Sequence, residues 1–170
     1  MILILGGAGF IGSNFVLDFI KQSSEKVLIL DKLTYAGNLS SLDDIKEAAN
    51  YAFVKADICD EKGIQQIFDT YQITHVIHFA AQSHVQNSFE NSLQYTQDNI
   101  LGTHNLLEVN RLYNPNLKKF IHVSTDEVYG ESMLDVDEKH KTEHSILCPT
   151  NPYAATKAGV IGLTKTWAKE

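Results

Sequence analysis

Short apolar runs alternate along this chain with longer stretches in which apolar residues recur every three or four positions. The runs predict buried strands, and the recurring positions predict helices with one apolar face. Strands are predicted at residues 1–5, 27–30, 51–55, 76–79 and 120–123. Helices are predicted at residues 10–21, 42–49, 61–71, 91–112 and 152–169. Such alternation indicates an α/β fold in which helices cover both faces of a parallel sheet.

Composition limits the function classes. The chain has 170 residues, of which 44% are apolar and 21% charged, as expected for one globular domain with a substantial core. The net charge of −7 argues against a nucleic-acid partner. Cys59 and Cys148 are expected to be reduced thiols, because they form no CxxC motif. No apolar run is long enough for a membrane span and no signal peptide is recognised, so we expect a cytoplasmic protein without a membrane partner.

A glycine-rich stretch, LGGAGFIGS, follows the first predicted strand and opens the first predicted helix. Gly7, Gly9 and Gly12 fit the pattern GxGxxG, and Gly6 adds a fourth glycine. Such a loop lets the backbone approach a pyrophosphate at the positive end of a helix. The alternative is a tight turn with a structural role alone, but the strand before and the helix after it favour a dinucleotide site.

Three strand ends extend this interpretation. Asp31 lies nineteen residues after Gly12, where an acid binds the ribose hydroxyls of the adenosine, and an acid there favours NAD over NADP. Lys32 weakens that preference. Asp57 follows the third strand, where an adenine would lie, although it could instead cap a helix. Ala80 and the alanine after it would let a cofactor lie against the sheet edge.

Two further patterns carry acid–base groups. Tyr153 and Lys157 lie four residues apart on a predicted helix and therefore share a face. The ammonium is expected to lower the pKa of the phenol, which could then take a proton from a sugar hydroxyl. Asp126 and Glu127 follow the fifth strand within HVSTDEVYG. Either pair could also be ordinary surface residues.

These motifs together resemble the extended short-chain dehydrogenase/reductases. Within that superfamily, DKLTYAGN, HFAAQSHVQNSFENS, FIHVSTDEVYGE and PTNPYAATKAG are similar to the nucleotide-sugar 4,6-dehydratases. The similarity is closest to the UDP-glucose 4,6-dehydratases that lead to UDP-rhamnose. The dTDP-glucose enzymes more often have Glu in place of Gln82 and Asp in place of Gln86.

The resemblance implies a reaction and a role for each catalytic group. NAD oxidises C4 of a nucleotide-diphosphate glucose, water is lost across C5–C6, and the hydride returns to C6. Tyr153 would be the base at C4. Lys157 would bind the ribose of the cofactor and lower the pKa of Tyr153. Asp126 would be the acid and Glu127 the base of the elimination, with Thr125 beside the C4 oxygen. Epimerases of this superfamily usually have small uncharged residues in place of the two acids.

The resemblance also implies a Rossmann-type doubly wound NAD-binding domain over residues 1–170, with no metal. Its cofactor site would comprise Gly6, Gly9, Phe10, Ile11, Gly12, Asp31, Lys32, Leu33, Thr34, Ala36, Gly37, Asn38, Asp57, Ile58, Phe79, Ala80, Ala81, Ser83, Tyr153 and Lys157. Gln82 would also border the nicotinamide. Ser83, His84 and Thr125 would contact the substrate, although His84 could equally be a packing or capping residue. Asp98 departs from the Thr or Asn expected beside the cofactor.

Two departures from the family leave alternatives open. The family continues into a substrate-binding domain, which we expect to be absent here. The tail KAGVIGLTKTWAKE resembles compact single-domain reductases instead. The chain could therefore be a dehydratase, an NAD-binding module without turnover, a 4-epimerase, or a small-carbonyl reductase. A homodimer is expected through the helices at residues 91–112 and 152–169.

Overall fold

The fold is built on a parallel sheet. The computed structural model describes residues 1–132 and 140–168. The strands of this region are β1 (Ile2–Leu5), β2 (Val27–Asp31), β3 (Tyr51–Lys55), β4 (His75–His78) and β5 (Lys119–His122), in the order β3-β2-β1-β4-β5. The order reverses beside β1, as in a doubly wound dinucleotide-binding sheet. The predicted Rossmann-type α/β fold is therefore confirmed.

Helices connect the strands. They are α1 (Phe10–Gln22), α2 (Glu61–Thr70), α3 (Val85–Glu90), α4 (Ser92–Tyr95), α5 (Gly102–Tyr113) and α6 (Pro152–Trp167). A π-helical segment, Thr96–Leu101, joins α4 to α5, and 3₁₀ helices occur at Leu39–Ile45 and Asp126–Tyr129. None of the helices within the described ranges is long and apolar enough to cross a membrane.

The two sides of the sheet form two apolar clusters. Leu3 and Leu5 of β1 pack with side chains of α2 and α5, while Ile4 packs on the opposite side with α1 and the first 3₁₀ helix. All three side chains are fully buried. A strand buried on both faces requires a continuous apolar run, which explains the sequence of β1. Each such side chain contributes about 1.5–3 kcal/mol to folding.

The helix predicted at residues 42–49 differs in type and in bounds from the one that forms. A 3₁₀ helix forms instead, from Leu39 to Ile45. Asn38 caps it by accepting a hydrogen bond from the N–H of Ser40, and its own N–H donates to the carbonyl of Ala8. This anchoring starts the helix earlier than predicted. The buried Leu42 and Ile45 are three residues apart, which suits a 3₁₀ helix.

The long helix predicted at residues 91–112 is interrupted. It starts at Ser92, widens into the π-helical segment and ends at Tyr113. Helix α3 before it was not predicted, because its apolar residues are too few to show a period. The helix predicted at residues 152–169 ends at Trp167, and Lys169 lies outside the described residues.

Candidate active site

Backbone atoms leave no room for a side chain at two positions of the glycine-rich loop. Gly6 has a positive φ of 74°, and a Cβ there would lie 2.5 Å from the backbone nitrogen of Ala80. A Cβ on Gly12 would overlap the carbonyl oxygen of Gly6. These glycines therefore let α1 begin immediately behind the ends of β1 and β4.

Asp31 fixes this loop from the end of β2. Its carboxylate accepts hydrogen bonds from the N–H of Ala8 at 3.0 Å and from the N–H of Leu33 at 2.8 Å. The residue is only 8% exposed. Asp31 thus joins the glycine-rich loop to the turn after β2, a structural task that the sequence pattern did not reveal.

A cleft of about 340 Å³ runs along the carboxyl ends of the strands. Most residues proposed for the cofactor line it: Gly6, Gly9, Phe10, Ile11, Gly12, Asp31, Lys32, Thr34, Ala36, Gly37, Asp57, Ile58, Phe79, Ala80, Ala81, Ser83, Tyr153 and Lys157. Leu33 and Asn38 do not line it. Leu33 packs against the apolar cluster on the α1 side, and Asn38 caps the 3₁₀ helix.

The middle of the cleft suits a diphosphate. Helix α1 begins there at Phe10, and no side chain caps its first turn. The leading N–H groups of a helix lack partners within the helix and attract anions. Phe10 and Ile11 are also 85% and 63% exposed at the cleft mouth, where an apolar ring can cover them. The residues present therefore fit a dinucleotide.

An ion-pair cluster occupies the end of the cleft nearest β2 and β3. The Lys32 ammonium lies 2.7 Å from the Asp57 carboxylate and 3.6 Å from that of Asp98. Its hydrogen bond with Asp57 raises the pKa of Lys32. Asp57 does not cap a helix; its carboxylate accepts from the N–H of Cys59, and Asp60 caps α2.

Lys157 lies at the opposite end of the cleft. Its ammonium donates to the carbonyl of Val123 at 2.7 Å and contacts Nε2 of His122 at 3.3 Å. Burial lowers the pKa of Lys157 to about 8. Lys157 is therefore directed towards the end of β5, a contact that the four-residue spacing did not predict.

The expected lowering of the Tyr153 pKa by Lys157 is not observed. Burial is the largest influence and raises the pKa of Tyr153 above its usual value. The hydrogen bond with Thr125 acts in the opposite direction, and the charges of Glu127 and Asp126 raise the pKa further. The spacing of Tyr and Lys gave no information about burial, which is why the prediction was wrong.

The two acids lie on the 3₁₀ helix that follows β5. Thr125 caps this turn and accepts from the N–H of Glu127. The Glu127 carboxylate accepts a hydrogen bond from the side chain of Asn151 at 2.8 Å. Asn151 in turn caps α6 by accepting from the N–H of Ala154. These contacts bring Thr125 and both acids next to the first turn of α6, which contains Tyr153.

A buried polar chain extends behind Lys157. His78 is fully buried, and its Nε2 lies 3.0 Å from the hydroxyl of Thr103. The rings of His78 and His122 are in edge contact at 5.0 Å. Burial lowers the pKa of both histidines, that of His122 to about 3. The sequence did not predict these polar contacts. The alternation of residues in β4 and β5 indicates only that the side chains of His78 and His122 face the interior.

Two cleft residues were not predicted, and His84 takes one of the roles left open for it, that of a capping residue. Val123 and Ser124 line the cleft at the end of β5, a position that the strand boundary alone would have indicated. His84 caps α3, with its Nδ1 accepting from the N–H of Asn87 at 3.3 Å. No group of three His, Cys, Asp or Glu side chains able to hold a metal ion is found in residues 1–132 and 140–168.

Comparison with known proteins gives consistent matches over almost the whole chain. The chain is 46% identical to the dTDP-D-glucose 4,6-dehydratase of Dictyostelium discoideum over 99% of its own length and 40% of the relative. It is 44% identical to the dTDP-glucose 4,6-dehydratase of Salmonella typhimurium, covering 50% of that protein. A trifunctional UDP-glucose 4,6-dehydratase/epimerase/reductase of Arabidopsis thaliana is 45% identical, and the match covers 99% of this chain and 25% of that protein. The chain thus spans half or less of these relatives.

Solved structures show the same fold. The dTDP-glucose 4,6-dehydratase of Streptomyces venezuelae, crystallised with NAD, matches 99% of this chain and 51% of its own with a TM-score of 0.90 and 36% identity. The UDP-Glc/GlcNAc 4-epimerase of Campylobacter jejuni gives a TM-score of 0.88 and 32% identity over 99% and 49% of the two chains. The GDP-mannose 4,6 dehydratase family model matches residues 3–170. The chain therefore belongs to the GDP-mannose 4,6 dehydratase family.

Proposed function

We propose that this chain provides the NAD site and the catalytic groups of a nucleotide-sugar 4,6-dehydratase. The observation that carries the proposal is the placement of Asp126 and Glu127 on a 3₁₀ helix next to α6, whose Tyr153 lines the cleft. The 3₁₀ helix that carries both acids packs against α6, and Asn151 joins Glu127 to the first turn of α6, which contains Tyr153. An acid, a base and a second base in one place are what this reaction requires.

The first step is oxidation at C4 of the glucosyl group. Bound NAD supplies the hydride acceptor for C4 and the hydride that later reduces C6. Tyr153 takes the proton of the C4 hydroxyl, and Thr125 donates a hydrogen bond that favours the phenolate. Lys157 is held by Val123 at the same end of the cleft and would bind a ribose hydroxyl of the cofactor.

The second step is elimination. The C4 ketone makes the proton on C5 acidic, and Glu127 removes it. The C6 hydroxyl leaves as water with a proton from Asp126, and a double bond forms between C5 and C6. Reduction at C6, for which the cofactor would return its hydride, and protonation at C5 would give the 4-keto-6-deoxy sugar, so that the cofactor would not be consumed.

The acid pair favours a dehydratase over the other reactions of the superfamily. A 4-epimerase only removes and returns a hydride at C4 and needs no acid at C6. A small-carbonyl reductase needs neither acid and would oxidise its nicotinamide cofactor. Relatives are named for both dTDP-glucose and UDP-glucose. We propose UDP-glucose as the first substrate to test because the chain's motifs resemble the UDP-glucose enzymes.

The test is incubation of the purified chain with NAD and either UDP-glucose or dTDP-glucose, followed by mass spectrometry. A product lighter by one water supports the dehydratase, and the faster substrate identifies the nucleotide. A product of unchanged mass with altered sugar configuration would indicate an epimerase. Net NADH oxidation with small carbonyls would indicate a reductase.

Isosteric variants connect any product to the proposed residues. Asp126→Asn and Glu127→Gln keep the shape of each side chain and should each abolish the loss of water. Asp69→Asn, on the exposed surface of α2, removes one charge elsewhere and should have no effect. If the folded chain binds NAD but yields no product with either sugar, it is an NAD-binding module and the dehydratase proposal is wrong.

We also propose a homodimer through the interrupted helix and α6. Three leucines of the interrupted helix are strongly exposed: Leu93 at 83%, Leu101 at 56% and Leu112 at 50%. Several exposed apolar side chains on neighbouring helical segments are typical of an interface. Sedimentation of Leu101→Glu should give a monomer under conditions where the wild type is a dimer, and a dimeric variant would place the interface elsewhere.

A further inference from the structure

Asp98 shapes the adenosine end of the cleft. It lies on the π-helical segment and lines the cleft with Lys32 and Asp57. Its side chain is 13% exposed and lies 3.6 Å from the Lys32 ammonium. The amides of Gln82 and Gln94 donate to its two oxygens at 2.9 and 3.0 Å. Asp98 is therefore fixed on several sides and directed at Lys32.

Lys32 is the cation that could otherwise accept an anion there. The cleft lining contains two lysines within the described residues, and Lys157 lies at the far end beside Val123. Lys32 contacts Asp57 at 2.7 Å as well as Asp98. Two carboxylates thus share one ammonium. A third carboxylate belongs to Asp31, the residue that precedes Lys32 at the end of β2.

We propose that Asp98 is a specificity-determining residue that excludes NADP, because it helps to engage Lys32 and leaves an excess of negative charge where a 2′-phosphate would lie. This inference rests on the proposed NAD site. A 2′-phosphate needs a free cation, whereas a 2′-hydroxyl needs an acceptor such as Asp31. The carboxylates at this end of the cleft therefore favour NAD in two ways: one accepts from the 2′-hydroxyl, and together they repel a 2′-phosphate.

The test is calorimetric titration of the purified chain with NAD and with NADP. The wild type should bind NAD and bind NADP much more weakly. Asp98→Asn keeps the size of the side chain and removes its charge. It should raise the affinity for NADP about tenfold more than the affinity for NAD.

Two further variants separate the mechanism from a general change in charge. The double variant Lys32→Gln, Asp98→Asn should lose most of the gain in NADP affinity, because the gain requires the Lys32 ammonium, which in Asp98→Asn is held by Asp57 alone. Asp69→Asn is the matched control, since α2 runs antiparallel to the strands and its last turn lies at the opposite edge of the sheet. It should change neither affinity.

The outcomes separate this inference from the proposed function. If the wild type binds NAD but Asp98→Asn changes NAD and NADP alike, or the gain survives without Lys32, the role of Asp98 is refuted and the NAD site stands. If the folded wild type binds neither cofactor, the NAD site and the role of Asp98 both fail. Circular dichroism of each variant verifies that the chain is folded.

Discussion

Asn151 bonds to Glu127 with one end of its side chain and caps α6 with the other. Its amide nitrogen lies 2.8 Å from the Glu127 carboxylate, and its oxygen accepts from the N–H of Ala154 at 2.8 Å. Because Tyr153 is in the first turn of α6, this one side chain sets the position of the proposed C5 base relative to the proposed C4 base.

The two functions of Asn151 can be separated by substitution. Serine caps helices about as well as asparagine but cannot reach Glu127. Asn151→Ser should therefore retain nearly all thermal stability and lose most of the dehydration rate, with a changed dependence of that rate on pH. Asn151→Ala should lose about 1 kcal/mol of stability as well. Full activity of the serine variant would show that Asn151 is only a cap.

The raised pKa of Tyr153 gives a spectroscopic prediction. In the chain without ligands this phenol should ionise only above its ordinary pKa of 10.0, since burial and two neighbouring carboxylates oppose the phenolate. The ultraviolet titration of Tyr153→Phe, subtracted from that of the wild type, should isolate its ionisation. A difference signal that appears below pH 9 would contradict the direction of this shift.

The buried histidines predict acid sensitivity. Burial lowers the pKa of His122 from 6.5 to about 3, so between these values the unfolded chain binds a proton that the folded chain does not. The free energy of unfolding should therefore fall as the pH drops below 6.5, by up to about 1.4 kcal/mol per pH unit for each histidine.

A substitution tests this assignment. Urea unfolding of His122→Asn from pH 7.5 to 5 should show a shallower pH slope than the wild type, by up to one proton. His144 is exposed, and His144→Asn should leave the slope unchanged. Equal pH slopes for all three proteins would mean that His122 is not the group that takes up a proton when the chain unfolds.

Two glycines make a matched pair for stability. An alanine at Gly12 would overlap the Gly6 carbonyl, whereas an alanine at Gly162 in α6 would meet nothing within 4 Å. Gly12→Ala should lower stability by several kcal/mol and abolish NAD binding. Gly162→Ala should raise stability by about 0.5–1 kcal/mol. Thermal unfolding of both variants decides the matter, and tolerance of alanine at Gly12 would show that the loop can move.

The sequence was informative where one local rule determines the structure. The apolar run of β1 and the glycines after it predicted the sheet and the cleft, because a buried strand and a tight turn each restrict the residue types allowed. It was uninformative where distant parts meet. The contact of Lys157 with Val123 and the bond between Asn151 and Glu127 join residues 34 and 24 positions apart. The 3₁₀ helix starts at Leu39 because Asn38 is anchored to Ala8.

The π-helical segment Thr96–Leu101 determines which side chains share a face of the helix. Tyr95, Asn99 and Thr103 are all buried, yet each is four residues after the last. In a regular α-helix every such step would advance by about 40° around the axis, so the third residue would be rotated by about 80° from the first. The N–H of Gly102 instead bonds to the carbonyl of Gln97, five residues back. A π-helical turn contains one residue more than an α-helical turn, and this extra residue cancels the rotation. Asn99 can therefore contact Thr156 while Thr103 contacts His78. Deleting one residue from the segment would prevent both contacts from forming together.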